Sequence, residues 1–375
     1  MMKIVYVSQA FIPSQTANSI HIMNMCNAFS VNGHEVILFA PDCREEYPVG
    51  VEDIFDYYGV NNRFTLVKLP FLHPRENSYR YLLSTFTYCL HILLKLLKIK
   101  PDLVYGRYLP GCYVAAKLGT PTIFEAHDLV WRSRLENVIF KKIVREERFI
   151  KLIVISEALK DIYLEAGLLN SQQIQVAPDS ADEVPDFEPL TDWPGRNGCL
   201  QVGYVGNLYS GRGIEMILAL ASSLNDVDFH IVGGSEKDLV RFREKYDFPN
   251  LYIHGYVPPK ETYKYRNSCD ILLAGYGRRV SLREEAADTS KYMSPLKIFE
   301  YMSSRKPIIA SDLPVLREVL SPRNAMLVPP DDSEGWKAAI IRLGDVEARN
   351  KLAAAAYEDF LKHHTWAIRA RNVIS

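Results

Sequence analysis

Ser294-Pro295-Leu296-Lys297-Ile298-Phe299-Glu300-Tyr301-Met302, followed closely by Lys306-Pro307-Ile308-Ile309-Ala310-Ser311-Asp312, reads as a helix running into a buried strand. Ser294 is a natural N-cap and Pro295 suits the first helical position. The unpaired N–H groups of that first turn, with the helix dipole behind them, form an anion site. Lys297 and Glu300 are three residues apart and so share one side of the helix. A cation beside a diphosphate, with a carboxylate one turn deeper where a ribose would lie, is one way to hold a nucleotide-sugar. An ordinary amphipathic helix with one surface ion pair has the same spacing, so the surrounding chain has to decide.

Outward from this stretch, short apolar runs alternate with helical patterns. The runs Leu200–Val205, Asp228–Val232, Leu251–His254, Ile271–Ala274, Pro307–Ala310 and Ala325–Val328 read as strands. Between and after them lie helix candidates Gly213–Ser222, Lys237–Lys245, Lys260–Ser268, Val315–Leu320 and Ser333–Leu343. The first half repeats the theme. Its strand candidates are Lys3–Ser8, Glu35–Ala40, Phe64–Leu69, Leu103–Gly106, Thr122–Glu125, Leu152–Ile155 and Gln173–Val176. Its helix candidates are Ser19–Asn32, Tyr79–Lys98, Gly111–Leu118, Val138–Phe149 and Glu157–Ala166. Such alternation predicts parallel sheets covered by helices on both faces. Pro178–Gly198, rich in Pro, Asp, Gly and Glu, reads as an interdomain connector. The chain is therefore expected to be two doubly wound domains in tandem. Ligands in such sheets bind beyond the carboxyl ends of the strands.

A length of 375 residues suits two domains, and 48% hydrophobic with 24% charged residues is an ordinary soluble composition. A net charge of −1 gives no argument for nucleic acid. The six cysteines are scattered without a C-x-x-C pair, which argues against zinc and a redox dithiol and for reduced thiols in a cytoplasmic protein. No signal peptide is expected, because Ile4-Val5-Tyr6-Val7 is a first strand cut short by Ser8-Gln9. No run is clean enough for a transmembrane helix, since His91, Lys95 and Lys98 interrupt the closest, Tyr81–Ile99. Tyr79–Lys100 reads as a core-packed helix. The basic stretch Arg132–Lys151 leaves peripheral contact with the inner face of a membrane open. Asp226-Val227-Asp228 precedes a strand, the wrong end for a metal-binding carboxylate pair, so no metal is expected.

Gly33-His34-Glu35-Val36, Glu125-Ala126-His127-Asp128, Val154-Ile155-Ser156-Glu157, Val176-Ala177-Pro178-Asp179, Gly203-Tyr204-Val205-Gly206, Arg212-Gly213 and the opening helix occur in one order. Together they resemble the family 4 glycosyltransferases, retaining enzymes of the GT-B fold, over nearly the whole chain. The resemblance implies two Rossmann-like domains facing across a cleft, with a C-terminal helix crossing back to the first. The expected division is 1–182 plus about 357–375 for the acceptor side, and 183–356 for the nucleotide-sugar donor side.

The same resemblance implies roles for particular residues. The loop at Gly206, Asn207 and Arg212, with Ser294, Pro295, Leu296, Lys297 and Glu300, is expected to hold the donor. Arg212 matches one of two family cations that stabilise the leaving diphosphate. Asn207 stands where the other is usual, and Lys297 is a candidate substitute. Glu300 matches the second Glu of the E-x7-E motif and suits a ribose diol. The first Glu of that motif falls on Tyr292. His127 is expected to contact the donor sugar, with Asp128, Arg107, Asn18 and Ser19 on the acceptor or sugar side; His21 is given little weight. The expected activity is metal-independent transfer of a hexose, glucose first, from a UDP-sugar to a glycan or lipid-linked glycan in polysaccharide biosynthesis, with no cofactor. An epimerase of the same fold and a non-catalytic nucleotide-sugar-binding protein remain alternatives. A dehydrogenase is disfavoured because G-x-G-x-x-G is absent after Lys3–Ser8 and Leu200–Val205.

Overall fold

The computed structural model describes residues 1–375 except 43–46, 49, 62, 72–77, 185–189, 191 and 281–287, and the side chains of 78–81 and 243–245. Cys43, the Arg80 side chain and part of the 178–198 connector lie outside the described residues. The chain divides into two compact units, 1–178 with 366–375, and 179–365.

The first unit runs β1 (Lys3–Val7), α1 (Ala17–Val31), β2 (Glu35–Asp42), α2 (Ile54–Tyr58), β3 (Thr65–Pro70), α3 (Ser78–Ile99), β4 (Leu103–Gly106), α4 (Leu109–Lys117), β5 (Thr122–Ala126), α5 (Arg134–Ile143), β6 (Phe149–Val154), α6 (Glu157–Glu165) and β7 (Ile174–Val176). The seven strands form one parallel sheet in the order β3-β2-β1-β4-β5-β6-β7. The strand order reverses between β1 and β4, and that reversal opens a ligand crevice at the strands' carboxyl ends. Ile4, Val5, Tyr6 and Val7 are all buried. Such an uninterrupted apolar run is what a strand covered on both faces requires.

The second unit runs β8 (Leu200–Val205), α7 (Ile214–Ser223), β9 (Val227–Val232), α8 (Glu236–Lys245), β10 (Leu251–Gly255), α9 (Thr262–Asn267), β11 (Ile271–Ala274), α10 (Leu296–Ser303), β12 (Ile308–Ser311), β13 (Met326–Val328), α11 (Ser333–Arg342) and α12 (Val346–His363). Its six parallel strands are ordered β10-β9-β8-β11-β12-β13, with the reversal between β8 and β11. The last helix, α13 (Trp366–Ile374), belongs to the first unit. There it packs on α1, and Asn32 Nδ2 donates to Ala367 O at 2.9 Å.

Several expectations need correction. The tail divides at 366 rather than near 357, because Ala356 and Phe360 of α12 are buried in the core of the second unit. The helix expected over Val138–Phe149 starts earlier, at Arg134, where Ser133 caps it, and Phe149 opens β6. Val315–Leu320 shortens to a single 3-10 turn, Leu316–Glu318. The helix α2, capped by Asp53 and closed by Gly59 in the left-handed region, was not anticipated.

Asp228 lies inside β9, and its buried carboxylate accepts from Arg196 N at 2.6 Å and Nε at 2.8 Å. The connector is correspondingly less loose than its composition suggests. Trp193 stacks on His230 at 4.1 Å and donates to Gln201 Oε1 at 3.0 Å, so this stretch covers one face of the sheet. Burial lowers His230 to a pKa of about 3 and His254 to about 4, and the stack is therefore neutral at ordinary pH.

Finally, α3 is packed on one side only. Tyr88, Ile92 and Leu96 are buried, whereas Leu83, Phe86, Leu90, Leu94 and Leu97 are exposed. By length and hydropathy Leu82–Ile99 would suffice to cross a bilayer, contrary to the sequence reading, but its inner face is anchored, with Tyr88 OH donating to Ser8 O at 2.6 Å.

Candidate functional site

In the second unit the sequence-singled residues gather at the carboxyl ends of β8 and β11, beside the reversal of strand order. β8 ends at Val205, and Gly206 follows with φ +152°. A Cβ on Gly206 would lie 3.0 Å from Lys297 Nζ, so a side chain there would press on the ammonium, and the positive φ itself favours glycine. After Arg212, Gly213 starts α7 at φ +83°, and a Cβ there would fall 1.9 Å from Gly275 O. Glycine is thus required where this loop crosses the one after β11, and the crossing brings Arg212 against Tyr276. The Arg212 guanidinium lies 5.5 Å from the Tyr276 ring centre and Lys297 Nζ 5.2 Å from it.

Lys297 lies in the first turn of α10, and its side chain runs inward rather than along an exposed face. The residue is 8% exposed, and Nζ lies 3.6 Å from the centre of the Tyr204 ring. Among the described residues Nζ has no hydrogen-bond partner. Burial pushes its pKa well below the ordinary lysine range, and the Arg212 charge pushes the same way, while Glu300 pulls it back up. Two aromatic faces give a cation some compensation. A buried ammonium without an acceptor is costly, and an anionic ligand would remove that cost.

Ser294 and Pro295 depart from expectation. α10 begins at Leu296 with Pro295 as its N-cap, which makes no side-chain capping bond. Ser294 Oγ instead accepts from Asp179 N at 2.9 Å. Proline in the cap position, extended at ψ 122°, leaves the first-turn N–H groups without a competing side chain. Glu300 is half-buried, with Arg266 Nη1 3.7 Å from its carboxylate. Asn207 is exposed, and its carbonyl accepts from Tyr204 OH at 2.6 Å, which fixes the ring beneath Lys297. Tyr292 is buried, and its N–H donates to Thr289 O at 3.1 Å.

The first unit holds a different arrangement, which the sequence reading missed. Glu125 in β5 is wholly buried. Its Oε1 faces Arg369 Nη2 at 2.9 Å, His21 Nε2 at 2.9 Å and, closely, His127 Nε2, while Tyr105 OH donates to Oε2. Burial alone would raise this carboxyl, but Arg369, His21 and His127 outweigh it and hold it well below the ordinary carboxylate range. An ionised carboxylate only accepts, so His127 Nε2 carries the hydrogen directed at it. Arg369, from α13, also donates to Pro178 O at 2.8 Å and Ala177 O at 3.0 Å. The available signal was a glutamate among the apolar residues of Thr122-Ile123-Phe124-Glu125-Ala126, because a buried carboxylate requires partners.

His127, 16% exposed, is therefore oriented from behind by Glu125, and the rings of His21 and His127 meet edge-on at 4.7 Å. Asp128 is engaged locally, accepting from Leu129 N at 2.7 Å and Arg132 Nη1 at 3.0 Å. Ser19 is corrected as an acceptor-side contact. It is fully buried, and its hydroxyl is turned to Ser14 O and Thr16 O, 2.9 Å from each, inside the loop that starts α1. Asn18 beside it keeps a buried Oδ1 without a partner. Arg107, half-buried after β4, has its N–H on Val7 O at 3.1 Å. Asn18 follows β1 and Arg107 follows β4, the two strands that flank the strand-order reversal.

His21, Glu125 and His127 lie close enough together to hold a metal ion, with ligand atoms within 4.8 Å of one another. The Arg369 guanidinium already neutralises this carboxylate, and a dication at the same oxygens would face that charge. The donor set therefore fits an ion-pair network better than a metal.

Comparison with known proteins adds the following. Residues 19–183 match the family described as Glycosyltransferase Family 4, and residues 200–345 match Glycosyl transferases group 1. A Bacillus subtilis protein named for glycosyl transfer in teichuronic acid biosynthesis, TuaH, is 27% identical over 129 residues, 34% of this chain and 30% of its own length. The phosphatidyl-myo-inositol mannosyltransferase of Mycolicibacterium smegmatis is 28% identical over 247 residues, 63% of this chain and 59% of its own. The chain thus spans under two thirds of the length of these curated relatives. Among solved structures, Anabaena HepE in complex with UDP superposes with a TM-score of 0.71 over all of this chain and 98% of that one, at 13% identity. At that identity the likeness establishes the fold, two Rossmann-like units of the GT-B kind.

Proposed function

The chain belongs to the family 4, group 1 glycosyltransferases, and we propose that it is a retaining transferase that takes a hexose, glucose first, from a UDP-sugar. The acceptor in this reading is a glycan or lipid-linked glycan in polysaccharide biosynthesis, at the cytoplasmic side, without metal or cofactor. One observation carries the donor side: Lys297 Nζ is buried without an acceptor, and Arg212 shares the Tyr276 ring with it. Breaking the bond between a sugar and a nucleoside diphosphate places charge on the leaving oxygens, and preorganised cations in a dry site stabilise that charge more than water does. Arg212 and Lys297 take this role, with the first-turn N–H groups of α10 beside them and Glu300 on the ribose. His127, its Nε2 committed to Glu125, presents Nδ1 as an acceptor to a sugar hydroxyl, and retention proceeds by front-face displacement. Support for UDP and glucose comes from HepE, solved with UDP and with UDP-glucose. Support for a glycan or lipid-linked acceptor comes from relatives named for teichuronic acid biosynthesis and for phosphatidyl-myo-inositol.

The test is incubation with radiolabelled UDP-glucose and a glycan acceptor. Label transferred to the glycan, with Arg212→Ala slowing kcat by about 2–4 kcal/mol in barrier, supports the reading. Inversion at C2 of the free UDP-sugar would replace it with an epimerase, and UDP binding without any turnover would replace it with a binding protein. Full activity in Arg212→Ala would remove that residue from the mechanism.

A further inference from the structure

The packing of α3 leaves a face that the family reading does not use. The helix is 22 residues long. Leu83, Phe86, Leu90, Leu94 and Leu97 follow one another at intervals of three or four, which keeps them on one stripe of a helix with 3.6 residues per turn. All five are exposed, from 41% at Leu83 to 67% at Phe86, and Leu82 at 51% widens the stripe. Single exposed apolar residues are ordinary, but a contiguous apolar face marks an interaction site. The opposite side is committed to the unit's core through Tyr88, Ile92 and Leu96. The stripe therefore faces outward from Leu83 to Leu97, while the opposite side anchors the helix to the unit.

The charges around the stripe select the partner. Lys95, Lys98 and Lys100 are exposed, and no Asp or Glu occurs from Ser78 to Pro101. α4 packs against both α3 and α5, and α5 adds exposed Val138, Lys141 and Lys142. An apolar stripe on a helix that carries lysines and no carboxylate matches the boundary between acyl chains and anionic headgroups. The leucines and the phenylalanine enter the acyl region, and the lysine stems extend to the phosphates. A second copy of the same helix would offer an apolar face too, but it would bring lysines and no carboxylate to meet them. We propose that the outward face of α3 docks the protein flat on an anionic lipid bilayer. This rests on the exposure and charge of α3 and is independent of the sugar-transfer reading.

The experiment is co-sedimentation of the full chain with vesicles of phosphatidylcholine alone and of phosphatidylcholine with phosphatidylglycerol. Binding is expected to the mixed vesicles and to be far weaker to the neutral ones. Phe86→Glu with Leu90→Glu should lower the affinity at least tenfold. Lys95→Glu with Lys98→Glu should lower it about fivefold per lysine, and the loss should shrink as salt is added. Both variants change exposed positions, so thermal melting and UDP affinity should match the parent, which separates this outcome from misfolding. Absence of binding to anionic vesicles, or equal binding by parent and Phe86→Glu/Leu90→Glu, would overturn the proposal. A concentration-dependent dimer abolished by the same two substitutions would reassign the face to a second copy.

Discussion

Both units bury cations, and the surroundings of two of them, Arg369 and Lys297, differ in kind. In the first, Arg369 reaches Glu125, Ala177 O and Pro178 O, and Glu125 in turn engages His21, His127 and Tyr105. In the second, Lys297 Nζ faces Tyr204 and Tyr276 and has no hydrogen-bond acceptor. The first cation is satisfied by the fold itself and holds α13 against the sheet. The second is supplied by the fold and left for something else to satisfy. Burial alone therefore does not distinguish the two; the presence or absence of an acceptor among the described residues does.

The largest effect should come from breaking the satisfied arrangement. Arg369→Met leaves Glu125 ionised and buried beside two histidines, and removing one member of a buried pair costs about 3–5 kcal/mol. Urea unfolding should detect this as a lower midpoint. Glu125→Gln in the same background should recover part of the loss, because the amide carries no charge to strand. If Arg369→Met unfolds at the parental midpoint, the network contributes nothing and the contrast between the units fails.

Lys297 should behave in the opposite way. Lys297→Met replaces an unsatisfied ammonium with an apolar chain of similar length, so the ligand-free protein should melt no lower than the parent and is expected to melt higher. The folded pKa of Lys297 lies well below the unfolded value. Between those two values the unfolded chain holds a proton that the folded one lacks, and parental stability rises with pH across that window. The advantage of the Met variant should accordingly grow as pH falls through the window. Its kcat should drop by about 2–4 kcal/mol in barrier if Lys297 stabilises the leaving diphosphate. A variant both less stable and fully active would make Lys297 a structural lysine.

The difference between the two cations also explains what could be read from the sequence. Strand–helix alternation disclosed both parallel sheets, because a strand covered on two faces must be an apolar run such as Ile4-Val5-Tyr6-Val7. The placement of Gly206, Arg212, Lys297 and Glu300 at strand ends and a helix start was legible because they come in short motifs tied to those elements. Glu125 and Arg369 are 244 positions apart, and no local pattern joins them. The rings beneath Lys297 were hidden for the same reason, since Tyr204 lies in β8 and Tyr276 follows β11, and they meet only when those strands pair. Ser294 misled at short range: its hydroxyl is taken by Asp179 N, 115 positions away, and a capping preference cannot foresee such a competitor. α3 misled because apolar composition alone does not tell a buried helix from one with an apolar outer face.

Glu300 offers the smallest effect and the finest test of the contrast. Its carboxylate is 30% exposed and 3.7 Å from Arg266 Nη1, a loose pair. Arg266 meanwhile keeps Ser304 Oγ and Thr262 Oγ1, each at 2.9 Å. Glu300→Ala should therefore cost under about 1 kcal/mol of stability. If the carboxylate binds a ribose, the same change should weaken UDP binding by about 1.5 kcal/mol, the scale of a hydrogen bond to a charged group. Calorimetric titration of UDP into parent and variant separates the two quantities. An unchanged affinity would return Glu300 to the satisfied class with Arg266 as its purpose, leaving Lys297 and Arg212 as the whole of the anion site.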